Sequence, residues 1–202
     1  MNRQIPSSAR TASTLSDRKR IRFCPVCGAD SFITSNPKGE DSPPEYLNRF
    51  ICRTCRFEFF VNAAASTMAL ILKDKDTLLM IRRARDPSKG TLDLPGGFVD
   101  IGERAEDAVC REIFEETNLH VSSYMLFPHT YCNEYLYGGV LYHTLDLVYI
   151  CEVEDWSVLV SNDPDEGQPE LVSLSRLNVQ DVGLTSVRKF LTEYLETYRP
   201  IE

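Results

Sequence analysis

Gly97, Glu103, Arg111, Glu112, Glu115 and Glu116 stand at fixed intervals in the stretch GFVDIGERAEDAVCREIFEETNL, which runs from Gly97 to Leu119. At about 100° per residue, a helix through this segment projects Glu112, Glu115 and Glu116 within roughly a third of its circumference, with Ala105 and Ala108 on the same face. Small neighbours there leave room above the carboxylates. Acids at i, i+3 and i+4 repel one another by about 0.2 to 0.5 kcal/mol per exposed pair, and by more where water is excluded. A cation is the natural compensation. An all-oxygen donor set favours a hard ion, magnesium first and manganese second, which keeps some of its waters and also binds phosphate oxygens. The competing reading is a solvated acidic helix surface with no ligand. The loop Leu94-Pro95-Gly96-Gly97 just upstream and the remote Glu103 argue against it.

Cys24-Pro25-Val26-Cys27-Gly28 and Cys52-Arg53-Thr54-Cys55 form the second constellation. Four thiolates satisfy tetrahedral zinc and leave no open coordination position, so such a site is structural rather than catalytic. Gly28 suits the turn that aims backbone amides at sulfur. Disulfide pairing in a secreted domain is the alternative. Against it, no signal peptide is expected, and the seven cysteines leave Cys110, Cys132 and Cys151 as an odd remainder. A reducing cytoplasm fits better.

These groups need a framework. A short apolar run followed by the breaker cluster at residues 94–97 predicts strand, tight loop and helix in that order. Val109 and Ile113 fall on a neighbouring helix face that should pack against a sheet. The helix should stop normally at Asn118, where a left-handed residue is wanted and asparagine is the usual second choice after glycine. Ala63 to Leu72 and Thr77 to Arg83 read as strands around a turn at Asp74 to Asp76, and His120 to Leu126 and Tyr137 to Val153 as further strands. Asn162 to Pro169 (NDPDEGQP) reads as an exposed acidic loop, Glu170 to Leu174 as a short strand and Ser186 to Tyr198 as a closing helix.

Upstream, residues 1–20 are rich in serine, threonine and arginine and formally match a transit peptide. Apolar residues are too sparse there for an amphipathic helix, which favours a disordered tail. A zinc ribbon then occupies residues 21–61, with a turn-rich insert from Asn36 to Pro44, and residues 62–202 form the remaining domain. Strands mixed with helices, without regular alternation, suggest an α/β chain whose mixed sheet is covered on both faces.

The interval pattern Gly, five residues, Glu, seven residues, Arg-Glu, an aliphatic, any residue, Glu-Glu, any residue, Gly, an aliphatic resembles the Nudix box. Ile113 and Leu119 fill the aliphatic slots, and Asn118 stands where the family has glycine. The resemblance covers roughly Ala63 to the C-terminus and implies a Nudix α/β/α sandwich preceded by the ribbon. It implies that Glu103 and Arg111 brace loop against helix, and that Glu112, Glu115 and Glu116 hold two or more magnesium or manganese ions. The Gly96 carbonyl would join that metal shell, and the four cysteines Cys24, Cys27, Cys52 and Cys55 would hold one structural zinc.

A ribbon in front of a Nudix domain is similar to the NADH pyrophosphatase lineage and its bacterial relatives. That lineage carries a downstream signature, Ser-Gln-Pro-Trp-Pro-Phe-Pro-x-Ser, of which Tyr124 to Thr130 (YMLFPHT) retains only Phe127-Pro128. The implied activity is magnesium-dependent cleavage of the diphosphate in a nucleoside diphosphate linked to another moiety, of the ADP-ribose, FAD, NAD(H) or dinucleoside polyphosphate type, with NADH not clearly preferred. The alternative is an ADP-ribose-binding regulatory Nudix domain without turnover. Such domains typically have eroded boxes and a DNA-binding domain, whereas this box keeps every acid. The general base differs between Nudix branches, leaving a box glutamate, Glu166 and Glu170 as candidates. Arg83 either holds phosphate or pairs with a neighbouring acid at the end of its strand. Gly97 and Tyr137 are placed with it on the substrate side. Tyr135 and Tyr137 lie where relatives acting on dinucleoside polyphosphates often have a tyrosine, although aromatic residues in strands are also simply core.

Composition narrows the partners. With 202 residues, 43% of them hydrophobic, the chain can bury one good core and a small module, and no apolar run is long enough to span a membrane. A net charge of −8 argues against a nonspecific nucleic-acid binder despite the basic stretch Arg18 to Arg22. A cytoplasmic enzyme with a small nucleotide as its partner is expected, the ribbon serving structure or forming a homodimer.

Overall fold

In a computed structural model of the chain, the residues described are 23–30, 32–34, 49–60, 62–137, 140–162, 164–165 and 167–197; the side chains of 32–34, 49, 137, 140 and 141 are not among them. The tail expected at 1–20 and the insert at 36–44 lie outside this set. The main division of the chain, between Asn62 and Ala63, separates two compact units.

In the first unit, β1 (Phe32–Thr34), β2 (Arg49–Cys52) and β3 (Glu58–Phe60) form an antiparallel sheet in that order. Ile33 pairs with Ile51, and Phe50 with Phe59. Phe50 and Cys52 are fully buried beneath this small sheet.

The second unit contains β4 (Ala64–Ile71), β5 (Thr77–Arg83), β6 (Leu92–Asp93), α1 (Ala105–Thr117), β7 (Val121–Tyr137), β8 (Val140–Val153), β9 (Gly167–Ser173) and α2 (Thr185–Thr197). Two sheets result, ordered β4-β8-β7 and β6-β5-β9. β4 runs parallel to β8, whereas β5 is antiparallel to both of its neighbours. The turn between β4 and β5 is held by the Asp74 carboxylate, which accepts the Asp76 and Thr77 amides at 2.9 and 2.8 Å. The two strands it joins nevertheless enter different sheets and share only the bridge between Leu72 and Leu78.

Side-chain alternation explains the layering. Along β4, Met68 and Leu70 enter one core, and Ala69 and Ile71 the other; along β5, Leu78 and Met80 face the first core and Leu79 the second. Strands covered on both faces read as unbroken apolar runs, as MALI and LLMI do here. Helix α2 closes the first core with Val187, Phe190 and Leu191, and α1 closes the second with Val109 and Ile113. The result is the expected α/β/α sandwich. Among the described residues no helix is long and apolar enough to cross a membrane.

Three details depart from the sequence reading. Ala108 is fully buried and Ala105 packs against the second core, so neither opens space above the carboxylates. The strand expected to end at Leu126 continues to Tyr137 as β7, because cross-strand pairing with β8 outweighs the Pro128 within it. β9 begins at Gly167 rather than Glu170, absorbing the end of the expected acidic loop by pairing with β5 from Arg83 to Thr77.

Candidate functional site

The loop before α1 is fixed by the free edge of β4. Thr67 N–H donates to Gly97 O at 2.8 Å, Ala69 N–H to Pro95 O at 2.8 Å, and Val99 N–H to Ala65 O at 3.1 Å. Such close seating needs both glycines. A Cβ on Gly96, where φ is +147°, would lie 2.1 Å from Thr67 O. A Cβ on Gly97 would lie 2.5 Å from the Glu112 carboxylate. Gly97 therefore serves helix–loop packing.

Helix α1 delivers the acids. It ends as expected, with Asn118 left-handed at φ 60° and its N–H donating to Phe114 O at 2.8 Å. Asparagine adds what glycine could not: its Nδ2 donates to Val158 O at 3.1 Å, and its Oδ1 accepts from Asn162 at 3.3 Å.

Arg111 organises the carboxylates. Its guanidinium donates to both oxygens of Glu103 at 2.8 and 2.9 Å, to Glu112 at 2.8 Å, to Glu115 at 3.0 Å and to Phe98 O at 3.1 Å. Glu103 also accepts the Asp100 amide, and the bonds from Arg111 first and this amide second hold its carboxyl down to about 2. The bracing expected of Glu103 and Arg111 is thus visible in the hydrogen bonds. Burial pushes Glu112 the other way, above the usual carboxylate range, against the pull of Arg111. Glu116 accepts the Gly96 amide at 2.9 Å, tying the helix to the loop.

Glu112, Glu115 and Glu116 line a cleft of about 790 Å³ together with Gly96, Gly97 and Phe98. The donor set is all oxygen, which fits a divalent ion; Arg111 already donates to Glu112 and Glu115, and the three carboxylates are less tightly gathered than the four cysteines. The cleft is also lined by residues that the sequence reading did not single out: Ser66, Asp93, Asn133, Tyr142, Thr144 and Asp146. Their signal is faint but present. Thr144 and Asp146 are polar residues in phase with the buried Val148.

Arg83 lines this cleft but donates to Asp93 at 2.6 Å and to Pro87 O at 2.8 Å, so the neighbouring-acid alternative holds. Burial nevertheless raises Asp93 to about 6. Tyr137 ends β7, and its side chain is outside the described set. Its neighbour Tyr135 lines the cleft and stacks on Tyr142, ring centroids 5.7 Å apart and planes 9° apart. Phe127, the remnant of the downstream signature, is core, packed edge-on against Phe190 at 5.2 Å. Of the two distant base candidates, Glu170 has both of its oxygens held by Arg82, at 2.5 and 2.7 Å, and does not line the cleft. Glu166 lies outside the described residues.

In the first unit the four cysteines converge. Their sulfurs all lie within 4.8 Å of one another, the one group of metal-ligating side chains so gathered among the described residues. Cys24 and Cys55 sulfurs are 3.6 Å apart, as are those of Cys27 and Cys52. A tetrahedron with zinc–sulfur bonds of about 2.3 Å has edges of roughly 3.8 Å, so zinc fits. The two halves of the cluster share one turn. Gly28 (φ 70°) donates to Cys24 O and Arg56 (φ 66°) to Cys52 O, each following the second cysteine of its pair. The Cys55 amide, aimed at the Cys52 sulfur, holds that thiol down to about 6.

Comparison with known proteins gives a consistent picture. A family model described as NUDIX domain matches residues 63–195. An ADP-ribose pyrophosphatase of Methanocaldococcus jannaschii is 44% identical over 64 residues, 32% of this chain and 37% of that protein. An NAD-capped RNA hydrolase NudC of Vibrio parahaemolyticus is 29% identical over 109 residues, 53% of this chain and 36% of the relative. The chain therefore spans well under half the length of these curated relatives. Among solved structures, a NUDIX hydrolase from Nitrosomonas europaea superposes with a TM-score of 0.64 at 20% identity, covering 88% of this chain and 92% of that one. That likeness concerns the fold.

Proposed function

This chain belongs to the Nudix family, and from that premise we propose that it is a magnesium-dependent pyrophosphohydrolase acting on a nucleoside diphosphate linked to a second moiety. The observation that carries the reading is the wall of Glu112, Glu115 and Glu116 on one side of a cleft large enough for a dinucleotide-sized ligand. Those three carboxylates would hold the ions, with the Gly96–Gly97 loop against them. Manganese suits the same oxygens. A divalent ion held by these residues would supply charge neutralisation for the diphosphate and Lewis-acid activation of the attacking water.

The chain's own residues then have separable tasks. Arg111 keeps the acids in register and Glu103 keeps Arg111 in place, so that the ligands are held before substrate arrives. Water oxygen attacks one phosphorus, the bridging P–O bond breaks, and two phosphate monoesters leave. The ADP-ribose pyrophosphatase and NudC names of the relatives support an ADP-linked diphosphate as substrate. Zinc in the four-cysteine cluster would be structural, since all four positions are taken by sulfur. A cytoplasmic location and a dimerising role for the ribbon belong to the same reading.

Turnover measured with purified protein and magnesium across ADP-ribose, FAD, NADH, NAD, diadenosine polyphosphates and nucleoside triphosphates tests it. Cleavage of the ADP-linked diphosphates should exceed that of the triphosphates. Glu112→Gln and Glu116→Gln should each lower kcat by about 10²-fold or more with the fold intact. Tight ADP-ribose binding with no cleavage of any compound would favour the regulatory alternative.

A further inference from the structure

One face of the β4-β8-β7 sheet changes character along its length. Side chains two residues apart share a face, so Val148, Asp146, Thr144 and Tyr142 of β8 point the same way. Ser66 and Met68 of β4 pair with Asp146 and Val148 in parallel register and join them. Met68 and Val148 belong to the core beneath α2, as does Tyr131 of β7. Farther along, the same face becomes polar. Asp146, Thr144 and Asn133 line the cleft yet are only 7%, 4% and 4% exposed.

Asp146 accepts a hydrogen bond from the Ser66 hydroxyl. No hydrogen bond from the described residues reaches the Asn133 carboxamide or the Thr144 hydroxyl. Among the described residues the sealed polar atoms without a partner are Thr67 Oγ1 and Ser186 Oγ, so the polar atoms of Asn133 and Thr144 reach the cleft and are open to a ligand's own donors and acceptors. The same cleft is lined by Tyr135 stacked on Tyr142, with the Phe98 ring 6.5 Å from Tyr142 and tilted by 45°.

We propose that Asn133, Thr144 and Asp146 read the edge of an adenine ring whose face lies against Tyr142. The inference rests on reading the cleft as a nucleotide site. A carboxamide meets adenine bidentately, its oxygen accepting from the exocyclic amine and its nitrogen donating to the adjacent ring nitrogen. The Asp146 carboxylate can take the second amine proton, and the Thr144 hydroxyl serves either role. Guanine, which offers a ring N–H and an amine to a carboxylate, is the competing purine, and GDP is therefore the comparison that discriminates. Tyrosine supplies a rigid stacking surface for the purine.

Equilibrium binding of ADP, inosine diphosphate, GDP and inorganic pyrophosphate to the full chain, each with magnesium, provides the test. ADP should bind about tenfold more tightly than inosine diphosphate, which carries oxygen in place of the exocyclic amine. Asn133→Leu, nearly isosteric and apolar, should bring that ratio to about one while leaving pyrophosphate affinity unchanged. Thr144→Val, a smaller change, should lower the ratio by about threefold and guards against a misfolded first variant. An unchanged ratio in both variants, or a preference for GDP, overturns the proposal. Binding is read without turnover, so selective ADP binding by a chain that cleaves nothing supports this inference while sinking the hydrolase reading. Cleavage with no preference among the bases does the reverse.

Discussion

Arg111 is the residue on which the acidic wall depends. A lone cluster of Glu112, Glu115 and Glu116 would splay by mutual repulsion, and the guanidinium beside them offsets that repulsion while Glu103 fixes its orientation. The brace has a pH signature. Glu103 titrates near 2 in the folded chain because Arg111 and the Asp100 amide stabilise its charged form; unfolded, it titrates near the ordinary glutamate value of about 4.3. The folded state therefore gains from this group above about pH 4.3 and loses that gain as pH falls towards 2. Denaturant midpoints followed between pH 6 and pH 2.5 should fall less steeply for Glu103→Gln than for the wild type. Parallel slopes would show that the pair contributes nothing to acid sensitivity.

At the scale of the element, α1 is a helix with two obligations, packing Val109 and Ile113 into the second core while presenting acids to the cleft. Its C-terminal end must stop where the next strand can start. Asn118 does this in a left-handed conformation and ties the end to Val158 and Asn162. Asn118→Ala should destabilise the chain by about 1 to 2 kcal/mol, since a Cβ-bearing residue without a local hydrogen bond pays the left-handed penalty. Asn118→Gly, the family's usual choice, relieves that strain but gives up the side-chain bonds, so a loss of about 0.5 to 1 kcal/mol is expected. Thermal or urea unfolding distinguishes the two; a glycine variant no more stable than the alanine variant would mean that the left-handed conformation carries no penalty at this helix end.

For the whole molecule, the two units differ in what keeps them folded. The second buries two cores between helices, whereas the first, among its described residues, buries the hydrophobic side chains of Phe50, Cys24 and Cys52. Small modules of that kind draw much of their folding free energy from a metal, about 10 kcal/mol for structural zinc. Freshly purified, never-chelated protein should contain about one zinc per chain by elemental analysis. Cys52→Ser should lose it, while magnesium exchanges freely at the other site. Protein that carries no zinc would refute the assignment.

The sequence by itself determined the elements whose residues interact nearby. The α1 acids, the left-handed stop at Asn118, the turn at Asp74 and the paired cysteines all follow from spacing and backbone preference, which act over a few residues. Tertiary structure decided what depends on distant pairing. β7 runs through Pro128 because β8 pairs with it, β9 starts early because β5 supplies a partner, and Arg83 meets Asp93 because β6 lies alongside β5. The polar side of the cleft belongs to the same class. Asn133 comes from β7, and Thr144 and Asp146 from β8, strands in whose alternating pattern polar residues are ordinarily exposed. Only the stacking of sheet, loop and helix shows that they are buried, and that two of them face the cleft without a partner.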